Sequence, residues 1–182
     1  MDRAPVLTGE RLVLRPLEAS DWDALFAIAS DRELWAIHPV PDRWQEPVFR
    51  AFFADALAEG GGLVAIDKAT GRVVGSSRYK LTDRPDEVEI GYTFLARDLW
   101  GSGLNAEMKR LMIAHALRFV ERAIFRVGED NWRSRRAMEK IGGRLTDRLE
   151  RFTGRDGREI VHVVFEIDRA GFATGPLGAG KT

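Results

Sequence analysis

A change of apolar period in mid-chain does most to limit what this sequence can fold into. Leu63 to Asp67 and Val73 to Lys80 are apolar, β-branched runs on either side of Lys68-Ala69-Thr70-Gly71, and Val88 to Leu95 follows the turn Asp83-Arg84-Pro85-Asp86. Three such runs predict an antiparallel meander. Then Leu104, Met108, Leu111, Met112, His115 and Phe119 recur at three and four residues, which predicts the longest helix, ending near Glu121. Strand, glycine-containing loop and helix therefore meet in the stretch Phe94 to Glu107.

The flanking segments read in the same way. Arg11 to Leu17 alternates as a strand, and Ser20-x-x-Asp23 has the pattern of a capping box that opens a helix through Leu25, Phe26 and Ile28. A second helix is expected over Glu46 to Glu59, with Pro47 in its first turn and Gly60-Gly61-Gly62 ending it. After the long helix come a strand at Ile124 to Gly128, a helix from Asn131 to Ile141 closed by Gly142-Gly143, and a hairpin. The hairpin joins Arg144 to Thr153 with Glu159 to Ile167 through Gly154-Arg155-Asp156-Gly157. The predicted class is α+β, a mostly antiparallel sheet of about seven strands with about four helices. One domain spans residues 1–170, and residues 171–182 are expected as a Gly-rich flexible tail.

Composition narrows the chemistry. A chain of 182 residues buries roughly 70% of its unfolded surface without a staple, and the absence of Cys excludes disulfides and thiol nucleophiles. Lys+Arg 28 balances Asp+Glu 28, which argues against a nucleic-acid partner. No apolar run approaches about 18 residues and the N-terminus has no signal-peptide stretch, so no membrane partner and a cytoplasmic location are expected. His38, His115 and His162 lack metal-ligand spacing, and no metal is expected. His115 falls on an apolar helix face as a core histidine, whereas Trp35 and His38 are candidates for either cleft or packing roles.

In FLARDLWGSGLNAE, Phe94 to Glu107, the unpaired N–H groups of a helix start carry partial positive charge. Gly101 and Gly103 leave room for a phosphate to reach backbone amides. Two glycines alone also fit an ordinary loop. Together with the order of elements, EIGYTFLARDLWGSGLNAE and EDNWRSRRAMEKIGG resemble the GNAT superfamily of acyl-CoA-dependent N-acetyltransferases over about Leu12 to Ile167. The strings at Gly9 to Leu17 and Glu89 to Tyr92 are most similar to the RimJ/RimL-like branch, which contains ribosomal-protein alanine N-acetyltransferases.

The resemblance implies that the central strands, Glu87 to Leu95 and Ile124 to Gly128, splay and admit the pantetheine arm of acetyl-CoA. Backbone groups of Phe94, Leu95 and Ala96 would pair with that arm. The family's phosphate loop falls on Trp100, Gly101, Ser102, Gly103, Leu104 and Asn105; only its fourth position matches, and Asn105 stands where the family has Gly or Ala. Asn131 matches a pantetheine-bonding position and also reads as a helix N-cap, and Ser134 matches a hydroxyl near the acetyl sulfur. Arg133, Arg135 and Arg136 read as a solvated helix face, with one of them a candidate for the adenosine phosphates.

Acetyl transfer needs a base for the amine, a polarised carbonyl and a proton for the thiolate. Glu87 and Glu89 share a strand face, and Glu89, in the EIGY string, is the first choice as base. Glu150 is in reserve, and two solvent-facing charges are the competing account. The family's tyrosine acid falls on Met138, which leaves Ser134 or no dedicated acid. The expected function is direct acetyl transfer to a primary amine, a protein N-terminus or a small-molecule amine, by a monomer or homodimer. The alternative is a non-catalytic acyl-CoA-binding or regulatory module. Gly175 to Thr182 also satisfies Gly-x-x-x-x-Gly-Lys-Thr, but no helix follows to hold a phosphate, so this string reads as coincidence.

Overall fold

The computed structural model describes residues 1–154 and 157–178. Among these, eight strands and five α-helices run in the order β1 (Leu7–Thr8), β2 (Leu12–Pro16), α1 (Trp22–Ala29), α2 (Glu46–Glu59), β3 (Gly62–Asp67), β4 (Val73–Leu81), β5 (Glu87–Leu95), α3 (Leu104–Ala116), β6 (Arg122–Gly128), α4 (Trp132–Lys140), β7 (Arg144–Thr153), β8 (Glu159–Asp168) and α5 (Arg169–Thr174). The strands form one sheet in the order β1-β2-β3-β4-β5-β6-β8-β7. Every pairing is antiparallel except that of β5 with β6.

The α+β class is as expected, with one strand and one helix more than the seven and four read from sequence. The extra strand, β1, is two residues long, too short to show a period. The extra helix, α5, occupies the start of the expected tail: the Asp168 carboxylate accepts the Gly171 N–H at 2.7 Å, and Leu177 packs into the core. Residues 179–182, with the end of the P-loop-like string, lie outside the described residues, as do Arg155 and Asp156 of the β7–β8 turn. Helix α3 ends at Ala116 rather than near Glu121, because the Glu121 and Arg122 amides both donate to the Asp86 carbonyl and start β6 beside β5. The N-terminal capping contact also differs: the Glu18 N–H reaches Asp21 at 2.9 Å, and Asp21 is clamped by Arg15 at 2.6 and 2.8 Å.

Two cores cover the sheet. Leu63 and Ala65 of β3 join the core beneath α3, and Val64 joins an aromatic core with Phe49, Phe53 and Trp35 on the α1 and α2 side. Burial on both faces explains why β3 reads as an unbroken apolar run. In β5, Val88 and Ile90 enter the α3-side core, Phe94 lies in the aromatic core, and Leu95 returns to the α3 side. One extra residue causes this change of face: Arg78 pairs with Gly91 and Ser76 with Phe94, so three steps of β5 oppose two of β4, and Tyr92 adopts φ 56°. Such a bulge bends its strand. β5 and β6 pair only at Glu87↔Arg122, Val88↔Ala123 and Glu89↔Ile124. Their remaining residues part, as the splayed arrangement requires.

Candidate active site

The parted strands open a cavity of about 770 Å³ that reaches from Glu89 and Arg126 to Gly101, Gly103 and Asn105 at the start of α3. Asn131, Ser134 and Met138 of the α4 segment also line it. Strand edges without a neighbour carry unpaired backbone groups, so the divergence itself creates a polar slot. The Ala96 N–H donates to Val74 at 2.8 Å, which by strand alternation turns the Leu95 N–H toward the open edge. The Leu95 carbonyl accepts the Trp100 indole N–H at 3.1 Å.

At the far end, Gly101 and Gly103 take φ 77° and 86°, and Gly103 is the N-cap of α3. The amides of Gly101, Gly103, Asn105 and Ala106 have no acceptor among the described residues. This is an anion-binding geometry. A Cβ on Gly101 would meet nothing within 4 Å, so the loop is open on that side. Of the residues expected to contact a cofactor, Phe94, Leu95, Trp100, Gly101, Gly103, Asn105, Asn131 and Ser134 line the cavity. Ser102 instead builds the loop, its hydroxyl donating to Leu99 at 2.6 Å, while Leu104 packs into the α3-side core. Asn131 caps α4 by accepting the Ser134 N–H at 3.2 Å, and it also lines the cavity. Arg133 lies 4.1 Å over the Trp100 ring and donates to the Leu34 carbonyl at 3.0 Å. Arg136 also lines the cavity, while Arg135 donates to the Glu129 carbonyl.

The two glutamates of β5 are buried, not solvent-facing, and the structure separates them. Glu87 is held by both terminal nitrogens of Arg148 at 2.9 and 3.2 Å. Glu89 lines the cavity and accepts from Arg126 at 2.5 Å, and Arg126 also donates to Glu150 at 2.6 Å. Burial raises the Glu89 carboxyl above its ordinary value against the opposing pull of Arg126. Arg148→Ala leaves Glu87 buried without its partner, and a loss of about 3 kcal/mol in urea unfolding is expected. Equal midpoints for variant and wild type would contradict that role.

Lys109, which sequence reasoning passed over, is 3% exposed and lines the cavity. Its Nζ donates to Thr93 Oγ1 at 2.7 Å, and burial pushes its pKa down to about 7. The available signal was its position, four residues after Asn105 on one helix face. His115 is the expected core histidine, its Nε2 2.8 Å from the Asp2 carbonyl. Trp35 is fixed by an indole bond to the Ala29 carbonyl and packs edge-on against His38. Both residues line the cavity, and burial holds His38 well below the ordinary histidine range.

Known proteins share this fold. A model of the acetyltransferase (GNAT) domain matches residues 11–144. A GNAT-family acetyltransferase from Bacillus anthracis superposes with a TM-score of 0.76 at 20% identity, over 90% of this chain and 98% of that one. Mycobacterium smegmatis RimJ in complex with CoA-disulfide gives 0.70 at 19% identity, over 91% and 86%. Vibrio cholerae spermidine N-acetyltransferase in complex with CoA and spermine gives 0.69 at 13%, over 91% and 100%. At these identities the structures establish the fold, and the matched domain establishes kinship: the chain belongs to the GNAT acetyltransferase family, whose co-substrate is acetyl-CoA.

Proposed function

We propose that this protein transfers an acetyl group directly from acetyl-CoA to a primary amine, with both substrates bound together. The observation that carries this reading is the parting of β5 and β6 beyond Glu89, which joins a buried carboxylate to the free amides of the α3 start within one cavity. The amides of Gly101, Gly103, Asn105 and Ala106, with Arg133 beside them, suit a pyrophosphate. The Leu95 N–H and the Asn131 carboxamide suit the amide groups of a pantetheine arm, and the Ser134 hydroxyl stands along the same path. Acetyl-CoA supplies an acyl group already activated as a thioester. Glu89 accepts the amine proton, directly or through one water, and Arg126 holds it in place. With no Cys in the chain, direct transfer needs no acyl-enzyme.

The acceptor we favour is a protein N-terminus, as in the RimJ/RimL-like branch that the Gly9 to Leu17 and Glu89 to Tyr92 strings resemble. Glu89 and Glu150 are both engaged by Arg126, with Arg148 3.7 Å from Glu150. These guanidinium groups offset the carboxylate charge at this end of the cavity, which disfavours a polycationic acceptor. No helix among the described residues is long and apolar enough to cross a membrane, and a cytoplasmic location accords with the same reading.

Calorimetric titration with acetyl-CoA, followed by turnover on N-terminal peptides and on spermidine, tests the proposal. Saturable binding with peptide turnover is expected. Binding without turnover on any amine would favour an acyl-CoA-binding module, and no binding would overturn the cofactor site. Arg133→Ala is expected to weaken acetyl-CoA about tenfold, equivalent to about 1.4 kcal/mol, and an unchanged dissociation constant would remove Arg133 from the anion site.

A further inference from the structure

Met138 lines the cavity where relatives with a tyrosine would place a proton donor, and a thioether has no proton to give. Lys109 is a donor in the same cavity. An ammonium carries three N–H groups, and among the described residues Lys109 uses one, to Thr93 Oγ1, which in turn meets Ser77 Oγ at 2.8 Å. It makes no ion pair among those residues. The Phe125 ring of β6 lies 5.3 Å from Nζ, and Glu89 of β5 is the charged group that acts on it. Arg126, next along β6, is engaged with Glu89 and Glu150.

The sheet divides these groups. Val88 and Ile90 point into the α3-side core, so Glu89, between them, leaves β5 on the opposite face. Lys109 approaches from α3, and the slit where β5 and β6 part is the passage between the two faces. A group held in that slit has a carboxylate on one side and an ammonium on the other.

Resting on the acetyl-transfer reading above, we propose that Lys109 is the proton donor of this site, protonating the departing sulfur from the α3 side while Glu89 takes the amine proton from the other. The new bond joins the amine nitrogen to the carbonyl carbon, and the bond that breaks joins that carbon to sulfur. Lys109 passes one proton to the sulfur and Glu89 gains one from the nitrogen. Water in the open slit then returns Glu89 to carboxylate and Lys109 to ammonium, so the cycle closes without a further reactant. An ammonium titrating near 7 is a stronger acid than an ordinary thiol at about 8.5, so the transfer runs downhill.

Two measurements test this. Trace labelling with acetic anhydride, quantified at Lys109 by peptide mass spectrometry from about pH 5 to about pH 10, needs no variant. Reactivity half-maximal near 7 and suppressed at least about fivefold by coenzyme A is expected. A Lys109 that never labels, or labels equally with and without coenzyme A, overturns the proposal.

Kinetics supply the second readout. Wild-type kcat should rise with pH as Glu89 ionises and fall as Lys109 loses its proton near 7. Lys109→Met should lower kcat about a hundredfold, abolish the falling limb, leave the KM for acetyl-CoA within about threefold, and melt no lower than wild type because a buried charge is gone. Lys109→Arg should fail to restore kcat, since a guanidinium keeps its proton; recovery with Arg would make the role one of charge and overturn proton donation. If coenzyme A does not bind at all, the acetyl-CoA reading fails as well. If it binds and wild type turns over but the Lys109 results do not appear, only the donor assignment fails.

Discussion

Glu89→Gln is expected to lower kcat between about a hundredfold and ten-thousandfold, with the KM for acetyl-CoA within about threefold. In the proposed mechanism, removing the carboxylate charge takes away the acceptor of the amine proton. The fold should survive because Arg126 keeps Glu150 at 2.6 Å. Burial raises the Glu89 carboxyl, so wild-type activity should climb with pH through a range above that of an ordinary exposed glutamate. Glu87→Gln is the matched control, two residues away on the same strand face. Glu87 is enclosed by Arg148 and does not line the cavity, so that change should cost stability and leave the pH profile in place. Wild-type rates for Glu89→Gln would remove it as the base, and Glu150, which also lines the cavity, would be next.

Gly103→Val should abolish measurable acetyl-CoA binding, a loss of at least about a hundredfold by calorimetry. Gly103 is the N-cap of α3 with φ 86°, a conformation that costs a β-branched residue about 1–3 kcal/mol. The added Cβ would stand 3.2 Å from Arg11 Nη2. Arg11 in turn holds the Ser102 carbonyl at 2.9 Å and the Glu107 carboxylate at 3.1 Å. Relieving the strain therefore moves the loop that aims the free amides. Gly101→Ala has a similar φ of 77° but open space for its Cβ, so it should weaken binding less. Undiminished affinity in Gly103→Val would place the phosphates elsewhere.

Most of the element order was legible because each element carries a local period or a local punctuation mark. The meander, the start of the helix at Leu104, the helix after Asn131 and the last hairpin all lie within a few residues of their expected bounds. The differences have physical causes too. Two-residue β1 has no period to detect, and α3 stops early because Asp86, remote in sequence, captures the amides of Glu121 and Arg122. The capping pattern at Ser20 and Asp23 lost to Glu18 and Asp21 because Arg15 draws the Asp21 carboxylate inward.

The site was legible to a different depth at its two ends. The glycines of the α3 loop announce themselves, since positive φ and a helix start are properties of a short stretch. Ser102 and Leu104, in that same stretch, serve the loop and the core, and only their neighbours face the cavity. At the Glu89 end, alternation placed Glu87 and Glu89 on one face and could go no further.

By itself, then, the sequence determined the order of strands and helices, the glycine turn before α3 and the absence of any cysteine nucleophile, all consequences of residue type and near-neighbour spacing. Tertiary structure decided which glutamate faces the cavity, that Arg126 and Arg148 separate the two, and that Lys109 is enclosed beside Thr93 and Phe125. Those outcomes depend on where β5 and β6 cease to pair and on which distant side chains cover each face. Burial and electrostatic partnership arise between segments far apart along the chain, and no local pattern encodes them.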